Sequence, residues 1–292
     1  MDRPVLPDAV RRAVAHVRGH AAGPALDPSL RVTLNFHPER LEGVTHGRTV
    51  LARLADDGVY RSQFETRSSN GGLTAHPGGD RWRWESRIFG GAYDTAEDAL
   101  RPRYGALDVH RRPNGAAPRF GSSHLRLAAP TLRRTTFCFP DSVFEPMLFG
   151  TADAFALADA TASTSAAWGH DLLDDYVEAH VHGVVDVRRD VEALVLDPSF
   201  RGTRVEEDAA HLGVPLEWHV GYRLPVEVLR AHPDYRGPEV VALGERVAVA
   251  GLLTPRIVGE AAATGEHDPQ TLKRVWHHVA RFGLDGPGDR TP

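Results

Sequence analysis

Lysine is nearly missing from this chain: Lys273 is the one lysine among 34 basic residues, and the other 33 are arginines. With alanine and glycine abundant, this bias reflects base composition, and it strips any single arginine of special weight. Cysteine is as scarce. The one cysteine, Cys138, lies in the apolar run Thr136-Phe137-Cys138-Phe139, so an internal disulfide and a cysteine-built zinc cage are both excluded. The run itself predicts a buried, inert thiol. No stretch of about 18 apolar residues occurs, and the N-terminus is charged and proline-bearing, without the apolar centre of a signal peptide. The expectation is a soluble, cytoplasmic protein that does not engage a membrane. Positive charge is not in excess either. The net charge of −5 argues against a mainly electrostatic nucleic-acid binder. Also lacking are a phosphate-binding Gly-Lys-Ser/Thr loop, a Gly-x-Gly-x-x-Gly after a strand, a Gly-x-Ser-x-Gly elbow and a His-Glu-x-x-His. Nucleoside triphosphatases, Rossmann dehydrogenases, serine hydrolases and zincins lose ground accordingly. Without an internal repeat, solenoids and propellers drop out as well.

What is present suffices for a packed fold. The 292 residues are 41% hydrophobic and 25% charged, which suits one large domain with a helical appendage. Residues 8–18 place Ala9, Val10, Ala13, Val14 and Val17 on one helical face, with Asp8 as cap and Gly19 past the end. Val32, Leu34 and Phe36 alternate with Thr33 and Asn35 as a strand that runs into His37-Pro38, and a helix follows at about 46–57, stopped by Gly58. From Val59 to Phe139, Gly, Pro and Asn clusters predict short antiparallel strands, including Arg81 to Glu85, Tyr104 to Val109, Phe120 to Leu127 and Arg134 to Phe139. Residues 151–170 read as a weak helix and a connection. Tyr176 to Val187 and Val191 to Leu196 read as two further strands. Beyond Asp197-Pro198 the pattern turns helical, with Pro225 and Pro255 heading short helices, the latter behind the cap Thr254, and most clearly where Asp268 caps, Pro269 takes the first position and Leu272, Val275, Trp276 and Val279 form a face closed by Gly283. These boundaries divide the chain into an N-terminal helix and linker (1–28), an α+β core (29–200), a C-terminal helical region packed on it (201–283) and a tail (284–292). The fold class is α+β, a mixed or antiparallel sheet with N- and C-terminal helices.

Candidate chemistry sits in strands. In Tyr176-Val177-Glu178-Ala179-His180-Val181-His182-Gly183, strand periodicity sends Glu178, His180 and His182 to one face. That face is a solvated polar edge, a two-histidine metal site completed by Asp186 or His37, or a surface that positions Glu178 as a catalytic carboxylate. His37, where strand meets loop, is a core histidine or a ligand-gripping one. The segment from Val59 to Gly72 combines hydroxyls, arginines and glycines that could wrap a phosphate-bearing ligand or form a plain surface loop. Leu216-Glu217-Trp218-His219-Val220-Gly221-Tyr222 sets two aromatics around a histidine, which favours a structural role.

Phe64 to Gly72, Tyr104-Gly105-Ala106-Leu107, Phe120-Gly121-Ser122, Thr136 to Ser142, Glu178 to Gly183 and Leu196-Asp197-Pro198 resemble a bacterial family catalogued as domain of unknown function 3626, over about residues 30 to 280. A more distant likeness concerns the order of elements. A strand ending in His37, a helix closing at Gly58, a serine-rich segment and a late Glu178-bearing strand followed by another strand are similar to the ADP-ribosyltransferase superfamily. That resemblance implies an ADP-ribosyltransferase-like sheet core and NAD as substrate. It implies that His37 or Arg31 holds the ribose or phosphates of NAD, and that Glu178 supports cleavage. It gives the middle role to Ser68 or Ser69, or to Thr135 or Thr136. Tyr60 or Phe64 would stack on nicotinamide or adenine, and Arg61 or Arg67 would pair with the pyrophosphate. The partners implied are a small nucleotide and a protein or nucleic-acid acceptor. The paired Glu-x-Glu or Gln-x-Glu of arginine-directed transferases is missing. The rival expectations are a metal-dependent hydrolase using His180 and His182, and a noncatalytic binding module.

Overall fold

The computed structural model describes residues 6–41, 47–67, 74–157 and 171–284. Its centre is an eight-stranded mixed sheet. The strands are β1 (Val32–Phe36), β3 (Arg103–Leu107), β4 (Ser123–Leu127), β5 (Thr135–Phe139), β6 (Leu148–Thr151), β7 (Val177–Val181), β9 (Val191–Leu196) and β10 (Leu216–Trp218), while β2 (Val59–Tyr60) and β8 (Val185–Asp186) pair as a separate ribbon. Across the sheet the order is β10-β9-β4-β1-β3-β7-β5-β6. The pairs β1–β3, β3–β7, β7–β5 and β5–β6 are antiparallel, and β9–β10 is parallel. The architecture is the expected α+β class, with helices at both chain termini.

The chain folds into two compact units. In the first (1–34, 57–117 and 125–192), α1 (Asp8–Arg18) buries Ala9, Val10, Ala13 and Val17 as its periodicity requires, with Pro7 rather than Asp8 in the capping position. Beyond α2 (Val50–Asp57) of the second unit, the first also holds α3 (Gln63–Thr66) and α4 (Asp80–Ile88). α4 corrects the strand expected over Arg81 to Glu85. Arg81, Trp84, Glu85 and Ile88 are the buried positions, a spacing of three and four that a helix satisfies. The apparent alternation of arginine and tryptophan carried no burial pattern. Ala9, Ala13 and Val17 of α1 and Trp84 and Ile88 of α4 join Phe89, Tyr93 and Cys138 in one apolar cluster.

Strands β5 and β7 are buried at every position, so both their faces are covered. This overturns the solvated-edge alternative for Glu178, His180 and His182. The strand expected over Tyr176 to Val187 divides at Gly183 (φ 73°), and Val187–Asp190 forms the short helix α5 before β9. The expected 151–170 helix falls largely on residues outside the described ones.

In the second unit (35–56, 118–124 and from 193 on), the turn at Pro118–Phe120 replaces the start of the expected Phe120 strand. Gly121 is required there: a Cβ at that position would stand 2.0 Å from the carbonyl carbon of Phe36, while Asn35 donates its side-chain amide to the Gly121 carbonyl at 3.3 Å. The helices of this unit are α6 (Arg204–Ala210), α7 (Val226–Ala231), α8 (Pro238–Val247), α9 (Pro255–Ala263) and α10 (Pro269–Phe282), with β11 (Leu224–Pro225) and β12 (Leu252–Leu253) paired between them. Thr254 caps α9 and Asp268 caps α10 through side-chain acceptance of a backbone N–H, as their positions before proline predict. No helix among the described residues is long and apolar enough to cross a membrane.

Candidate functional site

Register brings the site together. Cys138 of β5 stands opposite Glu178 of β7, and the next inward row aligns Thr136 of β5, His180 of β7 and Tyr104 of β3. Around Glu178, His180 Nε2 lies 2.9 Å from Oε1, Ser142 donates its hydroxyl to Oε2 at 3.0 Å, and the Ser142 N–H points at the same oxygen at 3.4 Å. Arg81 of α4 donates to the Ser142 hydroxyl at 3.2 Å, its guanidinium 4.1 Å from the Tyr104 ring centre. Asp141 caps the turn at Ser142–Phe144 and takes a hydrogen bond from the Tyr176 hydroxyl.

A chain of hydrogen bonds runs from Glu178 into the interior. Thr136 Oγ1 stands 3.0 Å from His180 Nδ1 and 2.9 Å from His182 Nε2, and the Tyr93 hydroxyl stands 2.7 Å from His182 Nδ1. The rings of Trp84, Phe89 and Tyr104 pack edge-on or tilted around His180, and Tyr93 stacks on His182. Deeper still, Glu85 pairs with Arg101 at 2.6 Å and accepts from the Tyr104 hydroxyl at 2.7 Å.

Burial dominates the proton affinities. It lowers His180 to about 3, aided by the Arg81 charge, and it lowers His182 well below the usual imidazole range, aided by His180 and Arg134. Burial raises Glu178, while Arg81 and the Ser142 hydrogen bonds pull it back. Burial pushes the Cys138 thiol well up, and Glu178 and Asp141 push it further. For Arg81, burial works against the charge but Tyr104, Glu178, Glu85 and Asp141 more than offset it. Two donors in this neighbourhood, Arg81 Nε and Trp84 Nε1, are buried without a hydrogen-bond partner.

Cys138, Glu178 and His180 also form a buried three-donor group: Sγ lies 3.8 Å from Nε2 and 4.0 Å from Oε1. Tetrahedral zinc would hold such donors about 3.3–3.6 Å apart. The histidine pair expected as ligands is arranged otherwise. His182 turns its two nitrogens to Thr136 and Tyr93, and Asp186 caps α5 by accepting the Arg189 N–H.

The remaining expected residues stand as follows. His37 is buried in the second unit, its Nδ1 3.4 Å from Glu39 and its ring edge-on to Trp276; burial and Arg40 lower it. Arg31 pairs with Glu192 at 2.7 Å, and Arg61 pairs with Asp57 at 3.0 Å. Tyr60 pairs with Val185 in the β2–β8 ribbon, its carbonyl accepting from Arg103. Phe64 is buried beneath the Arg101 guanidinium, 4.0 Å from its ring centre. Arg67 ends α3 in the left-handed conformation at φ 53°. Thr135 donates to the Thr131 carbonyl, whereas Thr136 faces His180 and His182; Ser68 and Ser69 lie outside the described residues. His219 is structural: Nδ1 accepts the Gly221 N–H at 3.0 Å, so Nε2 carries the proton and donates to the Ser122 carbonyl at 2.8 Å. Sequence reasoning missed Arg81, Tyr93 and Ser142. The first two sit on segments whose burial only the helical period and the fold reveal, and Ser142 differs from other serines only in the turn that Asp141 caps.

A family profile described as "Protein of unknown function (DUF3626)" matches residues 31–166 and 157–281. No curated protein matches the chain.

Proposed function

The chain belongs to the DUF3626 family, and from that premise we propose that it is an NAD-cleaving enzyme of ADP-ribosyltransferase type with Glu178 as its catalytic carboxylate. The observation that carries this reading is a carboxylate fixed by Ser142 and His180 beside two buried, unpartnered donors, Arg81 Nε and Trp84 Nε1. Donors left unsatisfied in a protein interior cost about 1–3 kcal/mol each, and a polar substrate carrying acceptors removes that cost. Sheet order adds support: the strand leading into His37 neighbours the strand of Tyr104, which neighbours the strand of Glu178. That neighbourhood makes Tyr104, as well as Thr136, eligible for the middle role.

In the proposed reaction the bond between the ribose C1′ and nicotinamide breaks, its electron pair leaves with nicotinamide, and the ribose acquires oxocarbenium character. A carboxylate bonded to the ribose 2′-hydroxyl stabilises that charge more in the transition state than in the ground state. The acceptor, a protein or nucleic-acid group or water, then bonds to C1′ and releases its proton. Glu178 is only 5% exposed, so substrate entry requires part of its cover to shift; Ser142, which bonds it, belongs to a loop that presents Val143, Phe144 and Met147 to solvent.

The test is nicotinamide release from NAD. Glu178→Gln should keep the fold and lose about 10²–10³ in rate. Equal turnover by both proteins removes Glu178 from the mechanism. A second reading rests on the Cys138, Glu178 and His180 group, which could hold a metal ion for hydrolysis. Elemental analysis separates the two: stoichiometric zinc lost in both Cys138→Ala and His180→Ala, without nicotinamide release by the wild type, replaces the first reading with the second.

A further inference from the structure

The C-terminal end of α1 carries two histidines that the Glu178 chemistry does not use. His16 stands in the last turn of the helix and His20 follows four residues on; Gly19 between them keeps helical dihedrals (φ −63°, ψ −18°), so the two side chains share one face. Their ring centres are 4.8 Å apart, with the ring planes at 47°. A metal ion about 2.1 Å beyond one nitrogen of each ring lies about 3.2 Å from both ring centres, and two rings at a tetrahedral angle then have centres about 5 Å apart. The observed separation is that of two rings on one ion.

Hydrogen bonding fixes which nitrogen His20 offers. Its Nδ1 lies 2.9 Å from the His16 carbonyl, which can only accept, so Nδ1 carries the proton and Nε2 the lone pair. An N–H held in this way by a backbone carbonyl is the usual state of a metal-ligating histidine. His16 is held by packing instead. Gly90, at φ 58°, lies against its ring, and a Cβ there would stand 2.5 Å from Nδ1 and 2.9 Å from Cε1 and Cγ. The Nδ1 side is therefore covered, and the Nε2 edge is turned away from Gly90. His16 is half-buried and His20 exposed, so an ion reaches the pair from solvent. The neighbouring arginines are engaged elsewhere: Arg12 with Asp8 at 3.1 Å and the Ala92 carbonyl at 3.2 Å, Arg18 with Asp153 at 3.0 Å. The partial negative charge at the end of a helix favours a cation there as well.

We propose that His16 and His20 form a two-point clamp for a divalent late transition metal ion, bound through the Nε2 atom of each ring. Imidazole suits zinc, nickel and copper, whereas magnesium and calcium require oxygen ligands that the pair does not supply. Two protein ligands leave the other coordination positions to water. The site is thus an exchangeable one, and copper, at the top of the affinity order for nitrogen ligands, binds it most tightly.

The test is calorimetric titration of the full chain with zinc, nickel, copper and magnesium chlorides in a buffer that does not chelate them. Zinc and nickel should bind saturably, copper more tightly than either, and magnesium not at all. His16→Ala and His20→Ala should each remove one equivalent of nickel or weaken it by about tenfold or more. The control is His211→Ala: His211 is also exposed and its Nδ1 lies 2.8 Å from the Glu207 carbonyl, but no second histidine stands one turn away from it. That variant should titrate as wild type. The same equivalent should persist in Cys138→Ala, which separates it from the interior Cys138, Glu178 and His180 group. Nickel should also raise the melting temperature of the wild type and of neither His16→Ala nor His20→Ala, because the one-turn spacing exists only in the folded helix. Melting without metal checks that both variants fold. No saturable nickel or zinc binding by the wild type, wild-type affinity in either His16→Ala or His20→Ala, or an equal loss in His211→Ala overturns the proposal. None of these readouts depends on nicotinamide release.

Discussion

His180 Nε2 stands 2.9 Å from Glu178 Oε1, two residues along one strand and on one face of it, and this contact orients every proton in the chain behind it. When Glu178 is ionised, His180 donates from Nε2, and its Nδ1 accepts from the Thr136 hydroxyl. Thr136 in turn accepts from His182 Nε2–H, and His182 Nδ1 accepts from the Tyr93 hydroxyl. The ionised carboxylate thus sets one arrangement of donors and acceptors along the chain, and protonating it reverses them together.

Thr136 is the pivot of that chain, so Thr136→Val should be costly although valine has nearly the same shape. It strands one donor on His182 and one acceptor on His180, a loss of about 2–5 kcal/mol. Thr136→Ser should recover most of it. Urea unfolding of the three proteins measures the difference, and a valine variant as stable as wild type would refute the chain.

The Arg101–Glu85 pair is fully buried at 2.6 Å, and burial already raises the Glu85 carboxyl. Arg101→Met removes its counter-charge and should destabilise the protein by about 3–5 kcal/mol, readable in the same denaturation experiment. Joint replacement of both residues by apolar ones of like volume should cost less than the single change.

Cys138 is buried and its thiol is shifted well upward by burial, Glu178 and Asp141. A disulfide reagent at pH 8 should leave the native protein unmodified and titrate one thiol per chain in denaturant. Rapid labelling of the folded protein would contradict that placement.

The pH dependence of stability has a defined sign at His277. Burial lowers its folded value to about 2, below the ordinary 6.5, so the unfolded chain binds a proton that the folded chain excludes. This contribution is fully present above pH 6.5 and is lost as the pH falls toward about 2, with a slope of at most about 1.4 kcal/mol per pH unit. Subtracting the profile of His277→Leu from that of wild type should isolate the slope; a flat difference between pH 6.5 and 4 would count against a neutral buried His277.

The sequence by itself determined the α+β class, the amphipathic α1, the proline-headed α9 and α10 with their Thr254 and Asp268 caps, and the shared face of Glu178, His180 and His182. Each of these is a local matter of side-chain period or cap chemistry within a few residues. Period alone could not say whether the Glu178 face meets water or protein, because a strand alternates in the same way under either cover. Only the packing of α1 and α4 in the first unit decided that the face is dry, and with it that Arg81, Tyr93, Ser142 and Cys138 join the site. The same limit misread Arg81 to Glu85, where two tryptophans spaced by two imitate a strand until Trp84, Glu85 and Ile88 are seen buried together. His277 lay legible as part of a helix, but that its two ring nitrogens are buried without a partner depends on packing that residues far away in the chain supply.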